Sequence, residues 1–254
     1  MRTVSVTRYV TPLREGGSLP AVVEADDDGM YVLKFRGAGQ GARALIAELV
    51  AGELARALGL PVPEIVFAEL DVDLARTEPD PEIQDLIRAS EGLNLALDYL
   101  PGAVNYDPIA DGLPKDFASR VVWFDAFVSN PDRTPRNTNL MIWHGRPWLI
   151  DHGAALYFHH SWDGSTTANA GQPFALIRDH VLLPQADGIR EVDAEMAARL
   201  PAPVIEQILA QVPDSWLAAV GGDPSEQRRA YVDYLLKRLE LRDRFVEEAV
   251  RARG

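Results

Sequence analysis

"VSNPDRTPRNTNLMI", residues 128–142, is a polar interruption between two apolar segments. It holds two prolines, two arginines, one aspartate and three asparagines. A surface loop is the simplest interpretation, because these residue types favour turns. A second interpretation is chemical. Asp132 and Asn137 lie five positions apart, so one loop can present a carboxylate to a substrate hydroxyl and an amide oxygen to a metal ion.

The segments on either side of this loop have clear local signals. Before it, Phe117, Val121, Phe124 and Val128 recur at helical spacing, which predicts a buried helix. After it, "NLMIWHGRPWLID" (residues 139–151) is typical of a hairpin that turns at residues 144–145. Asp151 follows the second strand directly. A carboxylate at the end of a buried strand is costly to desolvate unless a cation compensates it, so Asp151 is expected to face a cationic site.

The first hundred residues favour strands with one long helix. "AVVEADDDGMYVLKF" (residues 21–35) predicts a hairpin with a turn at residues 28–29. Within its second arm, alternation places Lys34 on the face opposite Leu33 and Phe35. An ammonium group in an apolar strand needs anionic partners, and the helix predicted over residues 42–60 offers Glu48, with Glu53 as an alternative. Phosphates are the other candidate partners of Lys34.

The remainder of the chain favours helix. We expect a sheet-rich part over residues 1–98, a short connector over 99–103 and a helix-rich part over 104–254, which is an α+β class with a cleft between the two parts. The residues from 228 to 253 alternate charges and predict one long, solvated terminal helix. His159 and His160 are interpreted as polar loop residues, and "RTEPDPEIQDLIRASEG" (residues 76–92) as a solvated loop or a short helix.

Composition limits the function. The chain has 254 residues, of which 47% are hydrophobic and 25% are charged, so it is expected to bury a core. It contains no cysteine, which excludes disulfides and thiolate metal sites and fits a reducing cytoplasm. Any metal must bind oxygen or imidazole. A formal net charge of −13 argues against nucleic-acid binding, and no segment is apolar and long enough to insert into a membrane.

The order of these features resembles a known family. A strand lysine, a helix glutamate, Asp-x-x-x-x-Asn in a loop and a hairpin ending in Asp-x-Gly follow each other as they do in protein-kinase-like folds. The local sequence "DRTPRN…LIDHG" is most similar to HipA-type kinases and phosphatidylinositol kinases. "LARALGLPVPE" and "LDYLPGA" also resemble HipA-like sequences. The resemblance covers roughly residues 15 to 155.

The resemblance implies a two-lobed kinase-like fold, with an antiparallel sheet plus a helix in the N-terminal lobe and a mainly helical C-terminal lobe. It implies that Lys34 contacts the phosphates of ATP and that Glu48 orients Lys34. It also implies that Asp132 is the catalytic base and that Asn137 and Asp151 bind Mg²⁺. The remaining implied nucleotide contacts are Gly16, Gly17 and Ser18 in a phosphate-binding turn, and Asp98, Tyr99 and Leu100 in a hinge that meets adenine.

Three departures from the family pattern bear on activity. Thr134 stands where the family carries histidine, so Arg133 or Arg136 would have to supply a cation. His152 stands in place of the phenylalanine of Asp-Phe-Gly. The glycine turn has two adjacent glycines instead of a spaced set.

The expected activity is transfer of a phosphoryl group from ATP to a hydroxyl, with protein Ser or Thr as the first expectation. A small-molecule phosphotransferase of the aminoglycoside or choline kinase kind and a nucleotide-binding pseudokinase are the alternatives.

Overall fold

A closed five-stranded barrel forms the N-terminal part of the protein. The structure, a computed structural model, describes residues 1–13, 19–39, 41–76, 78–161 and 167–254 (for 160 and 161, the backbone alone). The barrel strands are β1 Thr3–Pro12, β2 Ala21–Ala25, β3 Met30–Lys34, β4 Ile65–Leu70 and β5 Gly92–Asp98. Their order is β1-β2-β3-β5-β4, and β4 returns to pair with β1. The predicted turn residues Gly16, Gly17 and Ser18 lie outside the described residues.

One strand pairing corrects the expected antiparallel sheet. Four of the pairings in the barrel are antiparallel, but β1 and β4 run parallel, with Thr3 opposite Phe67 and Ser5 opposite Glu69. This parallel pair closes the barrel, and closure removes the exposed strand edges of an open sheet. The β2–β3 hairpin is confirmed, although its connection spans the four residues 26–29 and not two.

The alternation predicted around Lys34 is confirmed. Leu33 and Phe35 are buried inside the barrel, in a cluster that also takes the inward side chains of the other strands. Lys34 points to the outer face of β3, where its strand neighbour across the pairing is Leu95. Leu95 belongs to a second, larger core that includes helix α1, Ala42–Ala57. The barrel therefore has two buried sides, and Lys34 lies on the side that faces α1.

Helix α1 is buried around most of its circumference. Eleven of its sixteen residues are buried, because the helix packs on the barrel on one side and on later helices on the other. At Gly52 an added Cβ would clash with Cδ1 of Ile65, which shows how closely α1 approaches β4. The chain leaves the helix through Gly59 with φ of 79°, a left-handed conformation typical of a helix C-terminus.

The remaining elements follow the barrel. Helix α2, Pro81–Ala89, resolves the alternative left open for residues 76–92, and Asp80 caps it by accepting from the Glu82 N–H. A small sheet of β6 Val104–Asn105, β7 Leu140–Trp143 and β8 Arg146–Leu149 contains the predicted hairpin. The helices that complete this part of the chain are α3 Lys115–Val128, α4 Ile189–Ala198, α5 Ala202–Leu209, α6 Asp214–Val220, α7 Pro224–Glu240 and α8 Asp243–Arg253.

The prediction of one solvated terminal helix is wrong. The chain forms two helices, α7 and α8, which separate at residues 241–242, and both bury one side. Arg238 of α7 is almost wholly buried and donates to the carbonyl oxygens of Phe127, Ala126, Ala170 and Gln172. These carbonyls satisfy the guanidinium group, which is why a charged residue is tolerated there. Among the described helices, none combines the length and the apolar character needed to cross a membrane.

Candidate active site

Lys34 and Asp151 meet although 117 residues separate them in the chain. Lys34 Nζ donates to Asp151 Oδ1 at 2.7 Å and lies 3.7 Å from Glu48 Oε2. The Lys34 side chain is 11% exposed and that of Glu48 is 2% exposed, whereas Asp151 is 38% exposed. The strand β3, the helix α1 and the end of β8 thus converge on one ammonium group. Of the two helix carboxylates considered, Glu48 is the partner, since Glu53 instead lies 3.3 Å from Arg56.

The charges in this cluster stabilise one another. Burial by itself would lower the pKa of Lys34, but the carboxylates of Glu48 and Asp151 outweigh it, so the pKa is raised. Burial would likewise raise the pKa of Glu48, but Lys34 and the contacts with His152 lower it. Both groups therefore stay ionised near neutral pH, so Lys34 carries the positive charge that binding an anion requires.

Glu48 also contacts the segment that follows Asp151. Its Oε2 accepts from the His152 N–H at 3.0 Å, and its Oε1 lies 3.4 Å from His152 Nδ1. The His152 ring is fully buried and lies edge-on to Phe124, so it fills an apolar site of helix α3 as a phenylalanine would. Asp151 itself has φ of 55°, a left-handed conformation that aspartate tolerates better than most residues.

The polar loop begins where helix α3 ends. Ser129 takes a left-handed conformation with φ of 54°, and the N–H groups of Ser129 and Asn130 donate to the Asp125 carbonyl. The Asn130 side chain then makes hydrogen bonds to residues before and after it in the chain: its Nδ2 donates to Asp125 Oδ1 at 2.9 Å and its Oδ1 accepts from the Asp132 N–H at 3.1 Å. The turn of the loop is therefore fixed before Asp132 is reached.

The Asp132 carboxylate is held by two asparagines. Asn137 Nδ2 donates to Asp132 Oδ2 at 2.8 Å, and Asn139 Nδ2 donates to the same oxygen at 3.1 Å. Asn139 is buried and its carbonyl accepts from the Ile150 N–H at 3.1 Å. Asp132 is thereby connected to the residue that precedes Asp151, so the loop and the end of β8 form one hydrogen-bonded unit.

A buried ion pair supports the loop from below. Arg133 and Asp125 are both fully buried, and Arg133 Nε lies 2.6 Å from Asp125 Oδ2. Arg133 also donates to the carbonyl oxygens of Asn139 and Ile150. Since its charge is directed into the protein, Arg133 does not supply a cation to the candidate site. Of the two arginines considered for that task, Arg136 alone is exposed.

His180 completes this buried network. Its Nε2 lies 2.9 Å from Asp125 Oδ2, and its Nδ1 accepts from the Leu182 N–H, which assigns the proton to Nε2. Burial lowers the pKa of His180, although Asp125 opposes that effect. Burial would raise the pKa of Asp125, but Arg133 and His180 lower it well below its ordinary range. The network is thus an ionised Asp125–Arg133 pair with a neutral histidine.

Sequence reasoning missed Asp125, Asn130, Asn139 and His180. Asp125 carried a usable signal, because it is the single charge in the apolar run "VVWFDAFV". A buried charge of that kind needs a partner. The interpretation of His159 as a loop residue is wrong, since His159 is buried and its Nδ1 lies 3.1 Å from the Tyr231 hydroxyl. The side chain of His160 lies outside what the structure describes.

The hinge predicted at Asp98, Tyr99 and Leu100 directly follows the barrel. Asp98 is the last residue of β5, and burial raises the pKa of its carboxyl. The Asp98 N–H donates to the Glu64 carbonyl and the Tyr99 N–H donates to the Met30 carbonyl. Two of the three backbone donors in this segment are therefore already engaged within the protein.

The protein has a barrel that carries Lys34, a helix that carries Glu48, and a helix-rich part with Asp-x-x-x-x-Asn and Asp-x-Gly. This is the arrangement of the protein-kinase-like class. The family model of the HipA-like kinases matches residues 6–248. The chain therefore belongs to the HipA-like kinase family. No curated protein matches its sequence.

Solved structures show the same fold. The structure of the proinflammatory kinase CtkA of Helicobacter pylori matches with a TM-score of 0.56 and 12% identity, over 98% of this chain and 97% of CtkA. The Golgi casein kinase with Mn and ADP bound matches with a TM-score of 0.50 and 12% identity, over 95% of this chain and 73% of that kinase. At such low identity the likeness establishes a kinase-like α and β fold, and together with the family it supports a phosphotransferase.

Proposed function

We propose that this protein transfers the γ-phosphoryl group of ATP to a hydroxyl group in a Mg²⁺-dependent reaction, with a protein Ser or Thr as acceptor. The observation that carries the proposal is the convergence of Lys34, Glu48 and Asp151, joined through Ile150 and Asn139 to Asp132. Phosphoryl transfer needs a cation on the phosphates, oxygen ligands for a divalent metal and a carboxylate near the acceptor, and these residues have the chemistry for each.

The residues fit Mg²⁺ by their chemistry. Because Nδ2 of Asn137 donates to Asp132, its Oδ1 is the end that remains for a metal. Asp151 uses Oδ1 for Lys34 and offers Oδ2. In the described part of the chain no group of three or more His, Cys, Asp or Glu residues is arranged to hold a metal, so the ion would rely on these two oxygens, phosphate oxygens and water. That mixture is typical of Mg²⁺ in phosphotransferases.

Each residue has one task in the proposed reaction. Lys34 binds the phosphates while Glu48 keeps it ionised and in place. Asp132 orients the acceptor hydroxyl and accepts its proton as the new O–P bond forms and the bond to ADP breaks. Asn137 and Asp151 would hold Mg²⁺, which when bound neutralises charge on the phosphate oxygens. The Golgi casein kinase, solved with Mn and ADP, supports the use of a nucleotide and a divalent metal by this fold.

The proposal includes the division of the chain. Residues 1–98 form the nucleotide-binding lobe, 99–103 the hinge and 104–254 the lobe with the catalytic loop. The base of the nucleotide lies against the hinge. Since the Asp98 and Tyr99 N–H groups are engaged, Leu100 is the residue of this segment that supplies a backbone donor to adenine. Gly16, Gly17 and Ser18 are proposed as the phosphate-binding turn from the sequence alone.

Replacement of Asp132 by Asn tests the proposed role directly. The change keeps the size and the hydrogen-bonding shape of the side chain but removes the base, so we expect transfer to fall by about 10²- to 10⁴-fold. Affinity for ATP with Mg²⁺ should remain within about threefold, because Asp132 contacts the acceptor. Phosphate transfer from labelled ATP and calorimetric binding measure the two quantities. Asp85→Asn, at an exposed position of α2, is the matched control.

The outcomes separate the possible functions. Undiminished turnover in purified Asp132→Asn protein contradicts the role of Asp132. Nucleotide binding with no Asp132-dependent ATP consumption in the wild type identifies a pseudokinase. Turnover with small hydroxyl compounds and none with proteins identifies a small-molecule phosphotransferase.

A further inference from the structure

Arg136 is an exposed cation at the tip of the catalytic loop. Thr134 and Asn137 form an isolated β-bridge, in which the Thr134 N–H donates to the Asn137 carbonyl at 2.9 Å and the Asn137 N–H donates back at 3.1 Å. Pro135 and Arg136 are the two residues of this turn, and both are exposed. Because Asn137 reaches back to Asp132, the turn places the Arg136 backbone beside the residue that holds the catalytic carboxylate.

The charge of Arg136 is not used within the described part of the protein. Its guanidinium pairs with no carboxylate there, in contrast to its neighbour Arg133, which is fully buried and paired with Asp125. Many exposed arginines of this protein do pair with a carboxylate, as Arg88 does with Asp85 and Arg190 with Glu247. In a chain with a formal net charge of −13, an arginine without such a partner beside the catalytic loop is notable.

The phosphates of ATP already have a cation in Lys34, which reaches the site from the barrel side. Arg136 lies on the loop itself and directly precedes Asn137, whose side chain donates to the Asp132 carboxylate. Consecutive Cα atoms are about 3.8 Å apart, so the Arg136 side chain starts close to Asn137, and it is exposed to solvent. An anionic acceptor would also be repelled by the acidic surface unless a local cation compensates.

We infer that Arg136 selects acceptors whose hydroxyl lies beside an anionic group, an inference that rests on the proposed function. A carboxylate-rich peptide segment and a phosphate-bearing small molecule both present this chemistry. A guanidinium group suits both, since it donates two parallel hydrogen bonds to either anion. The specificity of the site is thus set by one charge in the turn 134–137.

Charge exchange at this position is the test. Three serine peptides of equal length, flanked by acidic, neutral or basic residues, and glycerol with and without a 3-phosphate serve as acceptors. For the wild type we expect kcat/KM to be about tenfold higher for the acidic than for the basic peptide, or for glycerol 3-phosphate than for glycerol. Arg136→Lys keeps this order and Arg136→Glu inverts it, while the KM for ATP stays within about twofold.

Two controls keep the result specific. Arg146→Glu makes the same change of net charge at an exposed position of β8 and should leave the acceptor order as in the wild type. The preference should also shrink as ionic strength rises from about 0.01 M to about 1 M, because the Debye length falls from ~30 Å to ~3 Å. A loss of folding would not invert an order of preference, so the Arg136→Glu result cannot arise from damage alone.

Results that contradict this inference differ from results that contradict the proposed function. If Arg136→Glu leaves the order of acceptor preference unchanged, or if the wild type prefers basic acceptors, the inference is overturned while the proposed function stands. The inference is also overturned if neither acceptor class is phosphorylated although Asp132-dependent ATP consumption continues. Absence of Asp132-dependent ATP consumption overturns the proposed function and, with it, this inference.

Discussion

Individual residues of the loop at 128–142 have two kinds of task. Asp132, Arg136 and Asn137 reach the surface of the site. Asn130 and Asn139 are buried and complete the hydrogen bonds of the loop itself. The polarity between two apolar segments is therefore explained by both: a sharply turning buried backbone needs side-chain partners, and the proposed chemistry needs carboxylate and amide oxygens.

At this scale Asp151 yields a clear prediction. Asp151→Ala removes a proposed metal ligand and releases Lys34 from its 2.7 Å partner. We expect the affinity for ATP to lose its dependence on Mg²⁺. In the presence of Mg²⁺ the affinity of the variant should be lower than that of the wild type by about tenfold or more. Without Mg²⁺ the affinity should hold or rise, because Lys34 is then free to bind phosphate. Calorimetry with ATP, with and without Mg²⁺, measures both, and Asp85→Ala at an exposed site is the control. A retained response to Mg²⁺ would remove Asp151 from the metal site.

The element that matters most is the unit of helix α3, the loop and strand β7. Asp125 near the end of α3 accepts from Asn130, Arg133 and His180, so one carboxylate in the helix positions the loop that carries Asp132. His180 brings in the segment before residue 189, where the Val181 N–H also donates to the Arg133 carbonyl. Removing one partner of a buried pair leaves an uncompensated charge, at a cost of about 3–5 kcal/mol.

This network predicts a pH dependence of stability. The pKa of His180 is lowered by burial, so the unfolded chain takes up a proton at pH values where the folded chain does not. Its contribution is complete above about pH 6.5 and falls as the pH drops, by at most ~1.4 kcal/mol per pH unit. The lowered pKa of Asp125 acts in the same direction below about pH 4. The protein should therefore lose stability on acidification in two successive ranges.

Urea unfolding between pH 7.5 and 5 isolates the histidine. His180→Gln keeps an N–H donor for Asp125 and cannot take up a proton, so its free energy of unfolding should change less over this range than that of the wild type. His144→Gln, at the exposed tip of the β7–β8 hairpin, is the matched control and should follow the wild type. Parallel curves for wild type and His180→Gln would show that His180 does not contribute.

At the scale of the whole molecule, one core crosses the predicted boundary between the two parts of the chain. Helix α1 and residues Leu95 and Leu97 belong to the same buried cluster as helices α3, α5 and α6. Phe67 of β4 packs edge-on against Trp216 of α6 at 5.7 Å between ring centroids. Arg199 also donates to the Leu58 carbonyl at the end of α1. These contacts link the barrel to the C-terminal helices, so the two parts of the chain do not pack as independent domains.

A shared core predicts a single unfolding transition. Trp216 is 1% exposed, and Trp216→Leu should lower the free energy of unfolding by about 3 kcal/mol. Signals from the barrel and from the helices should shift together. Circular dichroism and hydrogen exchange of barrel amides, followed through the same transition, make the measurement. Leu176→Ala, at a 39% exposed position, is the control. Barrel amides that keep their wild-type midpoint in Trp216→Leu protein would indicate two separate units.

Local sequence patterns are enough to predict many of the elements and the order of the chemical groups. The β2–β3 and β7–β8 hairpins, the helix before the loop and the outward face of Lys34 follow from alternation, helical spacing and turn residues, which act over a few neighbours. The family follows from motif order and is confirmed by the family model. The roles of Lys34, Glu48, Asp132, Asn137 and Asp151 stay predictions, although the structure brings Lys34, Glu48 and Asp151 together.

The other features depend on contacts between distant parts of the chain. The parallel β1–β4 pair, the burial of α1 on both sides and the division of the terminal helix each depend on what packs against a segment, which no local pattern records. The different burial of the two arginines of the loop shows this most clearly. Arg133 and Arg136 are equivalent in the sequence, but Asp125 and His180 draw one of them into the interior and leave the other exposed. A buried charge is placed by its partners, and those partners come from distant parts of the chain.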